Sequence, residues 1–271
     1  MSPRPTQPRL LRGVRPAAAV ELEYRRRLLA LVRQMQASVL REVASAYRRN
    51  TPEVAELAAD ESPAAALRAA IRRLSRRWLR RFDEGAPRLA EWFARKAGER
   101  SDAALRKILR DAGFSVEFRM TRAQNDVMQA AIAENVALIK SIPQQMLGQV
   151  EGLVMRSVQV GRDLAGLTKD LKKQFAVTDR RAALIARDQN NKATAVLTRT
   201  RQVEAGLTTA IWCHSAGGKT PRPSHVKAGR DRVQYDILKG WPDPDLGGKR
   251  IWPGTEISCR CFSRPVVRGF S

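Results

Sequence analysis

The character of the sequence changes at Gly206. Up to that point apolar side chains recur at steps of three and four residues, which is typical of amphipathic helices. Beyond it the helical period is lost, glycine and proline become dense, and short apolar runs predict strands. We therefore expect an α+β protein: an elongated, mostly helical N-terminal region followed by a small β-rich C-terminal module. The predicted strand runs are 208–213, 233–238, 257–262 and 265–267.

Four segments follow from this pattern. Residues 1–17 carry four prolines and four arginines, which predicts a flexible basic arm. After the arm we expect a helical region over 18–112, a helical core over 113–206 and the β-rich module over 207–271.

Glycine, proline and threonine predict where the helices begin and end. The first helix runs from about Glu21 to Asn50, and Thr121, Thr178, Gly113 and Gly206 are expected to cap later helices. Alternating apolar residues over 114–120 indicate either a short strand or an extended connector. Further helices are predicted over 64–82, 88–111, 121–138, 144–160 and 167–175 and from Thr178 to Gly206, with a break at Ile142-Pro143.

The charge predicts a polyanionic partner. Lys and Arg number 50 against 27 Asp and Glu, a net charge of +23 that is spread along the chain. We expect salt-sensitive, non-specific contact with DNA, although solvated helix faces would give the same composition. Six arginines on the second helix are the candidate contacts to nucleic acid or to an acidic partner: Arg72, Arg73, Arg76, Arg77, Arg80 and Arg81.

Both histidines and all three cysteines lie between Trp212 and Cys261. The odd cysteine count argues against a disulfide framework and suits a reducing compartment. No secretory signal or apolar run of membrane-spanning length is present, so we expect a soluble protein made in the cytosol.

Soft-metal chemistry is one interpretation of this window. Cys259 and Cys261 would share a face in an extended strand, and two thiolates with His225 and with His214 or Cys213 would complete a zinc tetrahedron. Because zinc sites more often use C-x-x-C than C-x-C, packing of two small half-buried residues is the alternative.

Acid–base chemistry is a second interpretation. His214 and His225 would act as the acid–base pair of a nuclease, with Lys219 and Arg222 stabilising phosphate charge. The alternative is a buried histidine satisfied by a loop carbonyl. Pro253 and Gly254 are expected to shape the turn that presents the Cys-Arg-Cys sequence.

The same residues resemble the phage head morphogenesis family, the minor head proteins similar to protein F of bacteriophage Mu. The resemblance covers about 115–267, including the helix around 186–190, and departs at Ala228-Gly229, where many relatives have Asp-Gly. The matching residues are Trp212, His214-Ser215, Gly218-Lys219, Pro221-Arg222, Ser224-His225, Gly229, Pro253-Gly254 and Cys259-Arg260-Cys261.

This resemblance implies a capsid-assembly protein rather than an enzyme. It would be present in few copies per head, would bind portal, capsid or scaffold proteins, and would contact packaged double-stranded DNA but no membrane. Its expected location is the host cytoplasm during assembly and then the capsid interior of the virion.

Overall fold

The computed structural model describes residues 8–49, 62–218 and 220–267. Long helices make up most of these residues, and small antiparallel sheets lie in the C-terminal part, which confirms the α+β prediction. The helices are α1 (Ala18–Arg49), α2 (Pro63–Asp111), α3 (Arg122–Gln159), α4 (Leu164–Glu204) and α5 (Pro223–Arg230). The strands are β1 (Arg9–Leu10), β2 (Thr209–Cys213), β3 (Gln234–Asp236), β4 (Trp241–Asp243), β5 (Lys249–Ile251) and β6 (Phe262–Val267).

Prolines do not interrupt the long helices, so the predicted breaks are wrong. The helices expected over 64–82 and 88–111 form one helix through Pro87, and those expected over 121–138 and 144–160 form one helix through Pro143. Buried apolar residues keep the helical spacing on both sides of each proline, and their burial offsets a cost of about 3 kcal/mol. Around Pro87 they are Phe82, Ala86, Ala90 and Phe93, and around Pro143 they are Ile139, Ile142, Met146 and Val150.

Thr178 does not cap a helix. The segments expected over 167–175 and from Thr178 onward form the single helix α4, and the Thr178 hydroxyl donates to the Gln174 carbonyl one turn earlier (3.0 Å). A threonine hydroxyl can therefore be satisfied inside a helix as well as at its start, and the sequence does not separate the two cases.

The other predicted helix ends are confirmed. Gly113 and Gly206 follow α2 and α4 with φ of 95° and 73°, values that favour glycine. The hydroxyl of Thr121 accepts from the amide of Gln124 (3.1 Å) at the start of α3. Residues 114–120 form no strand, so the extended connector is the correct alternative.

The chain forms two compact units, one of which comprises residues 23–90 and 134–185. Over its described residues it is a bundle of four helical segments with an apolar interior. Polar contacts also join its helices: Tyr24 to Asn135, Gln36 to Asp179, Arg68 to Glu151, Arg77 to Glu42 and Arg181 to Ser141.

The other unit comprises residues 1–22, 91–133 and 186–271. Its main sheet has the order β1-β6-β2-β3 with antiparallel neighbours, and β4 and β5 form a separate pair. An apolar core joins this sheet to the end of α2. The fully or nearly buried core residues include Leu11, Val14, Leu105, Leu109, Leu207, Tyr235, Ile237 and Val267.

The N-terminal segment departs from the predicted flexible arm over its described part. Arg9 and Leu10 pair with Val267 and Val266, and the Leu11 amide donates to Pro265 (2.9 Å). Leu11 and Val14 are buried, so apolar side chains among the arginines anchor this segment. Residues 1–7 lie outside the described residues.

The last predicted strands are shifted along the chain. Residues 257–261 form turns and an irregular segment instead of the expected strand over 257–262, and β6 occupies 262–267. Ser258 has a φ of 59°, which is incompatible with an extended strand. In the described ranges, no helix has both the length and the apolarity needed to cross a membrane.

Candidate functional site

Three buried side chains converge in the C-terminal module. Nδ1 of His225 lies 3.5 Å from Sγ of Cys259 and 3.9 Å from Sγ of Cys261. All three potential ligand atoms lie within 4.8 Å of one another. The residues are 2%, 4% and 6% exposed, respectively. Two thiols therefore face one imidazole nitrogen in an enclosed space.

The position of His225 follows from the way α5 starts and packs. Pro223 occupies the first turn, where its missing amide proton costs nothing, and the carboxylate of Asp245 accepts from the Ser224 amide (2.9 Å). At the other end, Gly229 lies against the backbone of His214, where no larger side chain fits. These contacts fix the helix that carries the imidazole.

The two cysteines lie in the turns before β6, so the expectation that they share the face of an extended strand is wrong. Both sulfurs nevertheless reach the same imidazole, because Ser258 adopts a left-handed backbone conformation and redirects the chain. The Cys259 amide closes one of these turns on the carbonyl of Glu256 (2.9 Å).

Helix α4 holds these turns in place. The Asp188 carboxylate accepts from the amide of Ser258, and the Asn191 side chain donates to the carbonyl of Cys259 (3.1 Å). Gly254 has a φ of 89° and lies so close to α4 that an added Cβ would be 3.0 Å from that of Ala195. The helix around 186–190, which belongs to the motif noted in the sequence, thus supports the cysteines.

Asp243 is a site residue that sequence reasoning missed. Its Oδ2 lies 3.2 Å from Nε2 of His225, and the carboxylate is fully buried. Its Oδ1 accepts from the amide of Asp245 (3.0 Å), which fixes the orientation of the group. The sequence feature that could have identified Asp243 is its position between two prolines, Pro242 and Pro244, within an apolar module.

Trp212 forms the wall behind the imidazole. It is completely buried, and its ring meets the His225 ring edge-on with a centroid separation of 4.9 Å. On another side it contacts Trp241 at 5.0 Å. The tryptophan therefore excludes water from one side of the site and restricts the rotation of the imidazole.

The electrostatics of the cluster favour one shared negative charge on sulfur. Hydrogen bonding from the Cys261 thiol, from His225 and from the amides of Cys261 and Gly254 outweighs desolvation and lowers the pKa of Cys259. The same hydrogen bond, desolvation and the Cys259 charge raise the pKa of Cys261. Desolvation lowers the pKa of His225, but the hydrogen bond and charge of Cys259 and the charge of Asp243 outweigh it and raise that pKa.

A cleft of about 250 Å³ opens beside the three residues. His214, Arg222 and Arg260 line it together with the cluster. The guanidinium of Arg222 donates to the Ile257 carbonyl (3.1 Å), and that of Arg260 donates to the Gly217 carbonyl. Both arginines therefore stabilise the loops that form the walls of the cleft.

The predicted ligand set is only partly brought together. The ligand atoms of His225, Cys259 and Cys261 converge, but His214 is outside this group, and its Nδ1 accepts from the Ala216 amide (3.2 Å). Cys213 is half-buried on β2, where its sulfur faces the Ile211 carbonyl. Lys219 lies outside the described residues, and Pro253 is buried beside Gly254 in the turn after β5.

The arginine-rich stretch of α2 belongs to the helical bundle. All six arginines are exposed, but Arg72 pairs with Glu151, Arg77 with Glu42 and Arg80 with Glu84. Arg81 donates to Gln34 and stacks on the Trp78 ring at 4.9 Å. Arg73 and Arg76 make no ion pair within the described ranges, which leaves them as the candidate contacts to an external anion.

Comparison with known proteins finds a family match that includes this arrangement. Residues 148–264 match the family model described as Phage Mu protein F like protein. An uncharacterized protein of Haemophilus influenzae strain Rd is 31% identical over 188 residues, which covers 67% of this chain and 39% of that relative. The chain thus spans about two fifths of the length of the curated relative that it matches. No solved structure matches the chain.

Proposed function

We propose that the chain is a minor capsid protein that acts in procapsid assembly at or near the portal, as a member of the Mu protein F-like family that residues 148–264 match. The observation that carries this proposal is the family match, because it includes all of α4 and most of the module that α4 supports. In this proposal the C-terminal module is a rigid structural element and not a catalytic centre.

The charge supports non-specific contact with packaged DNA. A net charge of +23 on 271 residues suits a protein that lies beside condensed DNA. Arg73 and Arg76 on α2 are exposed to solvent and free of ion pairs within the described residues, so they are available to phosphate oxygens.

Co-sedimentation tests the assembly role. The protein is co-expressed with the portal, scaffold and major capsid proteins of its own phage, and assemblies are separated on a density gradient after nuclease treatment. We expect it to travel with procapsids or with portal rings, in few copies per particle. Its absence from both fractions would contradict the proposal.

A parallel experiment separates protein contacts from DNA contacts. Procapsids assembled without packaged DNA are washed at increasing salt before they are separated. Retention at a salt concentration that releases the protein from free DNA indicates a protein partner in the shell. If the same salt concentration releases the protein from procapsids and from free DNA, charge alone holds the protein to the shell.

The geometry does not favour the nuclease hypothesis. Both nitrogens of the His225 imidazole face protein groups, and the residue is only 2% exposed, so neither nitrogen is presented to a phosphate in the cleft. Plasmid nicking by the wild type and by His225→Ala should therefore be equally close to background. Nicking that is lost in the variant would restore the enzymatic hypothesis.

A further inference from the structure

We propose that His225, Cys259 and Cys261 bind a zinc ion that links α5 to the turns before β6, with a water molecule from the cleft as the fourth ligand. The proposal concerns the C-terminal module alone and does not depend on the assembly role.

The spacing of the three ligand atoms matches a tetrahedral ion. Zinc bonds of about 2.3 Å to sulfur and 2.0–2.1 Å to nitrogen place the sulfur and nitrogen ligands about 3.6 Å apart. Nδ1 of His225 lies 3.5 Å and 3.9 Å from the two sulfurs. An ion can therefore be accommodated among these side chains with small movements of each.

Both sulfurs of the cluster approach the same nitrogen of the imidazole. A neutral imidazole presents one lone pair at Nδ1, but two thiols face that atom. A single lone pair accepts well from only one of them. A metal ion at the centre of the triangle instead interacts with both sulfurs and with the nitrogen.

Asp243 prepares the imidazole for coordination. Its buried carboxylate lies 3.2 Å from Nε2 without forming a hydrogen bond in this geometry, and its charge favours the tautomer with the proton on Nε2 and the lone pair on Nδ1, toward the sulfurs. Carboxylate–histidine–metal arrangements of this kind are the usual outer shell of zinc sites and make the histidine a stronger ligand. A fully buried carboxylate that did not interact with the imidazole would cost free energy of desolvation without compensation.

The donor set selects a soft metal. Two thiolates and an imidazole suit zinc, whereas magnesium and calcium prefer oxygen ligands.

The same geometry resembles a Cys-His-Asp nucleophile, which is the competing chemistry. A nucleophilic thiol must be accessible to its substrate, but Cys259 and Cys261 are 4% and 6% exposed. A nucleophile also needs only one thiol, and here both sulfurs approach the imidazole. Metal binding uses both and needs no access by a large substrate.

Zinc analysis of the purified protein is the first test. The protein is produced with an affinity tag that lacks histidine, equilibrated with zinc, and freed of excess metal by gel filtration. We expect one zinc ion per chain, and removal with a strong chelator should lower the unfolding temperature. A wild-type protein that retains no zinc after this treatment would overturn the proposal.

Variants identify the ligands. Zinc content should fall to near zero in Cys259→Ser, Cys261→Ser and His225→Ala, whereas Cys213→Ser is the matched control and should retain the metal. His214→Ala should also retain it, because water occupies the fourth position. Equal zinc content in Cys259→Ser and Cys213→Ser, or loss of zinc in His214→Ala, would refute the assigned ligand set.

Three further measurements test the site, and two of them use the wild-type protein and so do not depend on the folding of a variant. Cobalt substituted into the wild-type protein should show thiolate-to-cobalt charge transfer and the intense visible bands of a tetrahedral ion, and octahedral bands would contradict the site. Asp243→Asn should keep the fold but weaken zinc binding 10- to 100-fold. Zinc should also protect Cys259 of the wild-type protein from alkylation. Equal alkylation with and without zinc would favour a nucleophilic thiol instead.

Discussion

Gly229 shows how closely a single residue controls the position of the imidazole. An added Cβ would lie 2.8 Å from the backbone nitrogen of His214 and closer still to its Cβ. Helix α5 carries both Gly229 and His225, so a displacement at one residue moves the other. The requirement comes from contact distance and not from an unusual φ.

Gly229→Ala should therefore destabilise the protein by about 1–3 kcal/mol, because α5 must move away from β2 to relieve the overlap. Chemical denaturation followed by circular dichroism measures the change. Gly148→Ala in α3 is the matched control: nothing lies within 4 Å of its added Cβ, and the helical position should gain about 0.5–1 kcal/mol. Similar behaviour of the two variants would contradict the packing argument.

Residue type alone identified most of the candidate site. His225, Cys259 and Cys261 were predicted because soft-metal ligands are concentrated in one window, and they do converge. Asp243 was not predicted, since its pairing with His225 depends on β4 and the short turn after it, which no local pattern specifies. His214 is close in sequence to the cluster, but its side chain is turned toward its own loop.

The sequence predicts that these segments are helical, but it does not predict how long each helix is. Periodicity predicts their buried faces, but the break predicted at Ile142-Pro143 is wrong because Pro143 lies inside α3, and α2 likewise continues through the gap expected between 82 and 88. The local cost of proline was overcome by burial on both sides, which is a property of the packed bundle. Strand β1 was missed for a similar reason, because two residues carry no periodic signal and their partner strand is at the far end of the chain.

Arg201 connects α2, the connector after it and α4 through a single buried guanidinium. Nε and Nη2 donate to the Asp102 carboxylate (3.0 and 2.9 Å), and Nη1 donates to the Arg119 carbonyl (2.6 Å) and to Glu204 (2.9 Å). The residue is only 3% exposed. The planar guanidinium donates hydrogen bonds in two directions at once, which the ammonium group of a lysine cannot do in the same geometry.

Arg201→Ala should cost about 3–5 kcal/mol in the free energy of unfolding, because Asp102 and Glu204 lose their buried partner. Arg201→Lys should fall between this variant and the wild type. The exposed Arg180→Ala on the same helix serves as the control and should change stability by no more than about 0.5 kcal/mol. Urea denaturation of the wild type and the three variants measures these free energies. A small loss of stability in Arg201→Ala would show that the network is not stabilising.

At the scale of the whole molecule, the positive charge is divided between internal pairing and the surface. Several arginines of α2 pair with acidic residues of the same bundle, as Arg77 does with Glu42. Arg73 and Arg76 have no such neighbour among the described residues. The net charge therefore overstates the number of side chains that are available to DNA.

Replacing both Arg73 and Arg76 with alanine should weaken DNA binding for all sequences alike and reduce the slope of log affinity against log salt by about 2. Arg77→Ala should reduce it less, since Glu42 already neutralises that guanidinium. Fluorescence anisotropy with a short duplex over a salt series measures both slopes. An unchanged slope in the double variant would place the DNA contacts elsewhere.

The pairing of β1 with β6 has a consequence for synthesis on the ribosome. Arg9 is synthesised long before its partner Val267. Leu11 and Val14 therefore stay uncovered until β6 has been made, and closing so long a loop is slow. A nascent chain stalled before β6 should bind chaperones through this segment, and a chain extended beyond β6 should bind them less.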